Sequence, residues 1–148
     1  MSIDYAESTK GKAMNYAHTV TVALPFDDAV AKVKEELAHQ GFGVLTEIDV
    51  HATFATKLGS ESANTLGNYL ILGACNPVLA EQALTADPDM GLLLPCNIVV
   101  RRAPSATITT VQAINAQTMV QLSSAKDIQS VADQANAHLL AALAAVEA

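Results

Sequence analysis

Apolar positions recur along this chain with two periods, and the points where the period changes mark its elements. From Thr19 to Leu24, β-branched and small residues alternate, the two-residue rhythm of a half-buried strand. Pro25 ends it. Phe26, Val30, Val33 and Leu37 then recur at helical spacing, while Lys32, Lys34, Glu35 and Glu36 face away. Asp27 and Asp28 place negative charge in the first turn of that helix, where it complements the helix dipole. Gly41 follows as a left-handed cap, and Phe42–Val50 reads as a second strand. The chain thus opens as strand, helix, strand.

Further along, Ala52–Leu58 fits a short helix stopped by Gly59, and Ser60–Gly67 reads as a polar loop. Tyr69–Leu72 is an apolar run of strand length. Asn76 suits an N-cap and Pro77 the first helical position, opening a helix through Val78, Leu79, Ala83 and Leu84. Asp87-Pro88-Asp89 breaks that helix. Asn97–Arg102 and Ala106–Ile114 read as strands joined by a turn at Ala103-Pro104-Ser105, and Ile114–Leu122 as a connection holding a short helical turn. The last helix carries the clearest stripe: Ile128, Val131, Ala135, Leu139, Leu143 and Val146. Helices mixed with adjacent, hairpin-forming strands indicate the α+β class. The expected architecture is a twisted, mainly antiparallel sheet with two main helices on one face. Residues 1–15 read as a polar arm and residues 16–148 as a single domain.

Composition narrows the function. Of the 148 residues, 51% are apolar but only 4% aromatic, with no tryptophan, so Ala, Leu, Val and Ile must build the core. A net charge of −7 repels phosphate backbones, and the one dense basic spot, Arg101-Arg102, sits at a strand end; nucleic acid is not an expected partner. No uncharged apolar run approaches membrane-spanning length, and Met1–Gly11 lacks the basic start and apolar stretch of a secretory signal. Two cysteines make no disulfide framework. The expectation is a cytoplasmic protein with reduced thiols and no membrane partner.

The run Gly41–Val50 resembles the family called domain of unknown function 302, as do Leu70–Pro77, Asp87-Pro88, Gly91–Asn97 and Ile98-Val99-Val100. The resemblance covers about residues 17 to 147. It implies a compact α+β fold like the sheet-and-helix arrangement of the TATA-binding protein, and a homodimer; it implies no DNA binding, since fold does not carry function. Members tend to have a proline near position 116, where this chain has Ala116. The family supplies no catalytic residues to carry over.

Candidate chemistry gathers at two segments, Gly73–Pro77 and Leu94–Asn97, which hold both cysteines, each followed by an asparagine. Cys75 lies between a strand and a helix N-terminus, where free N–H groups favour a thiolate. It is a candidate nucleophile, redox thiol or soft-metal ligand, or else a small residue packed under the helix entry. Cys96 would be its resolving partner if the two segments meet. Asn76 and Asn97 cap or turn the backbone, or offer amides to a polar ligand. Glu47 and Asp49 alternate on one strand as a solvated face or a carboxylate pair. His51 follows that strand as a surface histidine, a base or a metal ligand. The four histidines show no metal-ligand spacing, and no phosphate loop, dinucleotide fingerprint or Ser-His-Asp signature is present. The cofactor is unknown. The leading expectation is a dimeric small-ligand-binding or interaction module whose pocket adjoins Cys75, Asn76, Cys96, Asn97, Glu47 and Asp49. The alternatives are a thiol-dependent redox or sulfur-transfer protein using Cys75 and Cys96, or a soft-metal site of Cys75, Cys96 and His51.

Overall fold

The structure, a computed structural model, describes residues 15–148. The polar arm expected over residues 1–15 lies outside the described residues except for Asn15. The elements in chain order are β1 (Ala17–Val22), α1 (Phe26–His39), β2 (Gly43–Asp49), α2 (Val50–Leu58), α3 (Ser60–Leu66), β3 (Asn68–Cys75), α4 (Pro77–Ala86), a 3-10 turn (Pro88–Leu93), β4 (Cys96–Arg102), β5 (Thr109–Ile114), α5 (Gln117–Leu122) and α6 (Ile128–Glu147). The strands form one sheet in the order β1-β5-β4-β3-β2, and every neighbouring pair is antiparallel. Four antiparallel steps leave β1 and β2 parallel at opposite edges, so α1 must cross the sheet to join them.

Alternation along the strands separates two faces. Val22, Leu72, Ala74, Ile98, Val100, Val111 and Ala113 are buried against Ala29, Val33 and Leu37 of α1 and Leu139, Leu143 and Val146 of α6. These are the two main helices on one face that the pattern predicts. A second cluster joins the first half of α6, through Ile128, Val131 and Ala135, to Leu79 and Ala83 of α4, Met90 of the 3-10 turn and Met119 of α5. One long helix therefore seals both the sheet core and a smaller core beside it. The α1 stripe ends in a Schellman motif: Phe42 N–H donates to Leu37 O (2.9 Å) and Gly41 N–H to Ala38 O (3.0 Å), with Gly41 at φ +82° and Phe42 buried against the helix.

Several expectations are revised. The segment Ser60–Gly67, read as a loop, holds a helix, α3, over Ser60–Leu66, bracketed by Gly59 and Gly67 at positive φ and anchored by one buried residue, Ala63. With only Ala63 and Leu66 apolar, this seven-residue helix is too short for a period to be read. The first strand runs over Ala17–Val22, two residues earlier than its alternation suggests, and Leu24 lies beyond its end. There the Leu24 carbonyl accepts from Arg102 Nη1 (2.9 Å) and Thr109 Oγ1 (2.8 Å). Arg102 Nε also donates to Ala106 O (3.2 Å), so one half of the basic pair clamps the β4–β5 turn. That clamp starts the β5 ladder at Thr109 rather than Ala106. β3 extends past Leu72 to Cys75, with Gly73 in the ladder because Thr46 and the Pro95 ring occupy the space a side chain would need.

Asn136, half-buried on α6, ties three elements together. Its Oδ1 accepts from Ala116 N–H (2.8 Å) and lies 3.1 Å from His18 Nε2, while its Nδ2 donates to Asn115 Oδ1 (3.0 Å). The backbone donor fixes which end of the amide faces it, so His18 Nε2 must carry a proton. Ala116 is the position where the resembled family tends to have proline. Here its N–H is used, and α5 forms without the proline.

Candidate functional site

Cys75, Asn76, Cys96 and Asn97 converge at one end of the sheet, where β3 leaves for α4 and the Leu94-Pro95 segment enters β4. Asn76 does what its position predicts: its Oδ1 accepts from Leu79 N–H (3.2 Å), with Pro77 at the first helical position. Of the first-turn donors of α4, Pro77 has none and that of Leu79 is taken. This leaves the helix entry little N–H density to offer a Cys75 thiolate. The register sets Cys96 opposite Ala74, on the helix-covered face, and Cys75 opposite Gly43 at the next position along β3.

Both cysteines line one small apolar cavity of about 30 Å³, together with Phe42, Leu79, Pro95 and Met119. That is room for a water or a methyl group, not for a substrate. A cleft of about 260 Å³ adjoins it and shares Leu94, Pro95, Cys96 and Met119 as its wall. Leu92, Leu93, Asn97, Ile114, Asn115, Ala116 and Thr118 complete the cleft. Leu92 and Leu93 stand at its mouth, 89% and 37% exposed. No buried side-chain polar atom among the described residues lacks a hydrogen-bond partner.

The thiols differ in setting. Cys75 is half-buried; Cys96 is buried. Burial, reinforced by the nearby Cys75, pushes the Cys96 thiol up to about 11. In the unfolded chain the same thiol ionises near 9. Below pH 9 it is protonated in both states and folding carries no penalty from it. Between pH 9 and 11 the unfolded chain sheds a proton that the folded one keeps, so stability falls as pH rises. The expected loss is about 1 kcal/mol by pH 10 relative to pH 8. Urea unfolding of the wild type and Cys96→Ala at both pH values checks this, since other titrations are common to the two. An equal pH-dependent loss in the variant would refute the assignment.

Glu47, Asp49 and His51 do not join the cysteines. β3 carries Asn68 at one end and Cys75 at the other, eight residues that span about 23 Å. Glu47 and Asp49 pair with Leu72 and Leu70, and His51 Nδ1 donates to Gly67 O (2.8 Å) beyond the start of β3. Each of the three has a local partner: Glu47 binds Lys34 Nζ (2.7 Å), and Asp49 caps Ala52 N–H (2.9 Å) at the start of α2. They line a separate cavity with Phe26, Asp27 and Val30. The single pocket expected from sequence is therefore two places, and His51 cannot share an ion with the cysteines. No group of three or more His, Cys, Asp or Glu among the described residues is placed to hold a metal.

Sequence reading missed most of the cleft wall. Its one visible signal was Leu92-Leu93-Leu94, three consecutive apolar residues outside any periodic element, immediately before Pro95. Met119, Asn115 and Thr118 belong to a connection whose path only the tertiary structure determines.

The comparisons with known proteins agree with the fold. No curated protein matches the sequence. The chain is similar to a solved structure titled "Crystal structure of uncharacterized conserved protein DUF302 from Bacillus stearothermophilus", with a TM-score of 0.79 and 22% identity, covering 90% of this chain and all of that one. At that identity the likeness speaks for the fold. The family described as "Domain of unknown function DUF302" matches residues 18–146, nearly the whole sheet-and-helix unit. With that extent of match and the fold in agreement, the chain belongs to the DUF302 family.

Proposed function

We propose that this chain is a small-ligand-binding module that acts as a homodimer, with the ligand held in the cleft between the Leu92–Asn97 segment and the start of α5. The observation that carries this reading is the cleft itself: a concave, mostly apolar space whose mouth displays two leucines to solvent, with polar groups at only a few points. The dimer reading is supported by the sheet face opposite the helices, where Ile48, Ile71 and Val99 fall in one cross-strand row and Ile48 is 50% exposed. Reduced thiols in a cytoplasmic setting complete the reading.

The test uses methionine-methyl NMR, with the Met119 resonance assigned from its loss in Met119→Leu. Titration with 1-hexanol should shift the Met119 methyl saturably, and saturation transfer observed on the hexanol itself should be lost in Met119→Trp, which fills the cleft. A Met119 signal unmoved by hexanol overturns the ligand reading. Sedimentation equilibrium at micromolar concentration should give twice the monomer mass, and a 15.4-kDa species overturns the dimer.

A thiol redox or sulfur-transfer role has one observation in its favour, the two cysteines on one cavity. Against it stands Cys96, which keeps its proton far above neutral pH, so that any attack must begin at Cys75. Alkylation of native protein at pH 8 separates the two readings: a Cys75 that reacts only after denaturation removes the redox one.

A further inference from the structure

Resting on the ligand-cleft reading above, we propose that the cleft selects uncharged ligands: an aliphatic or small-ring body carrying a single amide, hydroxyl or carbonyl group at the Asn97 end. The proposal follows from what lines the wall. Leucine, proline, isoleucine, alanine and methionine supply the surface, and no Lys, Arg, His, Asp or Glu contributes to it. The cysteine there is a neutral thiol at physiological pH. A carboxylate or phosphate entering the cleft would surrender its hydration with no cation to replace it, and the net charge of −7 adds to the penalty. An ammonium would meet no carboxylate. A neutral polar group does meet partners.

Three polar side chains border the cleft, and two are largely committed. Asn115 Oδ1 already accepts from Gln117 N–H (3.0 Å) and Asn136 Nδ2 (3.0 Å). Thr118 Oγ1 donates to Asn115 O (2.7 Å) and keeps only its acceptor lone pairs. Asn97 is exposed and its amide has no hydrogen-bond partner among the described residues, so it offers both a donor and an acceptor. A carbonyl would take the amide N–H, and a hydroxyl would give to the amide oxygen. Such a ligand keeps its polar end paired while its apolar body lies along Leu92, Leu93 and Met119.

A matched series isolates the charge: hexanamide, hexanoate and hexylamine share a chain and carry 0, −1 and +1 at pH 7. Each is titrated into the full-length protein with the Met119 methyl as reporter. Hexanamide is expected to bind at least tenfold more tightly than either charged analogue. Asn97→Ala, at an exposed position where folding is not at stake, should weaken hexanamide about fivefold, the worth of one neutral hydrogen bond. Hexanoate or hexylamine binding as tightly as hexanamide overturns the selectivity and leaves the cleft as a binding site. An unchanged hexanamide affinity in Asn97→Ala overturns the assignment of the polar end. Failure of all three compounds and of 1-hexanol to move Met119 overturns the cleft reading itself.

Discussion

Gly67→Ala is expected to destabilise the protein by about 3 kcal/mol, well beyond the same change at Gly73. Gly67 sits at φ +81°, where a Cβ is strained whatever the space around it. The added carbon would also lie 2.5 Å from Arg102 O and 3.0 Å from Pro104 Cδ. That carbonyl has nowhere to go: Arg102 pairs with Asn68 across the sheet, and its guanidinium is held by Leu24 O, Thr109 Oγ1 and Ala106 O. Any shift of Gly67 also lengthens the bond its own carbonyl accepts from His51. Gly73 is crowded differently. An added Cβ would overlap Thr46 Oγ1 and approach Pro95 Cγ at 2.9 Å, but its φ is ordinary and Thr46 is an exposed side chain that can turn away. Gly73→Ala should cost about 1 kcal/mol, with part of that recovered in the Thr46→Ala background. Urea unfolding of the four variants measures the order, and a Gly67→Ala within 0.5 kcal/mol of wild type would show that the turn yields more easily than its pairing implies.

The contrast between those glycines marks how much the sequence discloses. Gly41 is legible because its role is local: it follows a helical stripe and precedes a strand, and the cap needs only five residues of context. Asn76-Pro77 is legible for the same reason, and the α6 stripe because twenty residues repeat one period. The α+β class follows from those local signals. The strand order does not, since nothing near Asp49 or His51 says that they lie toward the Asn68 end of β3, away from Cys75. That separation is a consequence of antiparallel pairing, and it divides one expected pocket into two. The cleft was hidden more thoroughly, because its wall comes from a 3-10 turn, a strand end and a six-residue helix, none of which carries a period of its own. The cysteines did point to the right end of the molecule. What they mark there is the floor of an apolar space, with Cys96 held neutral by burial.

Asn136→Leu is expected to cost about 2 kcal/mol, although the side chain is neither in the core nor in the cleft. The substitution keeps approximate volume and removes every polar atom. Ala116 N–H and His18 Nε2–H lose their acceptor, and Asn115 Oδ1 loses one of its two donors. Water can reach the half-buried site in part, which keeps the cost below that of a sealed network. Asn136→Asp sorts the contributions. It preserves both acceptor bonds but sets a carboxylate against Asn115 Oδ1, so its cost should fall between wild type and Asn136→Leu. Ala116→Pro removes the backbone donor from the other side, at a φ of −64° that the ring accepts. Its effect on stability should not add to that of Asn136→Leu, since each removes the same bond. The tautomer of His18 gives a readout that loss of packing alone would not move: Nε2–H should predominate in the wild type and relax toward a mixture in Asn136→Leu. Because Asn115 and Ala116 also form part of the cleft wall, the same variant should broaden the Met119 methyl resonance. If stability, the His18 tautomer and the Met119 line all match wild type, packing through Met119 alone holds α5 in place, and the cleft owes its shape to the apolar cluster rather than to this hydrogen-bonded junction.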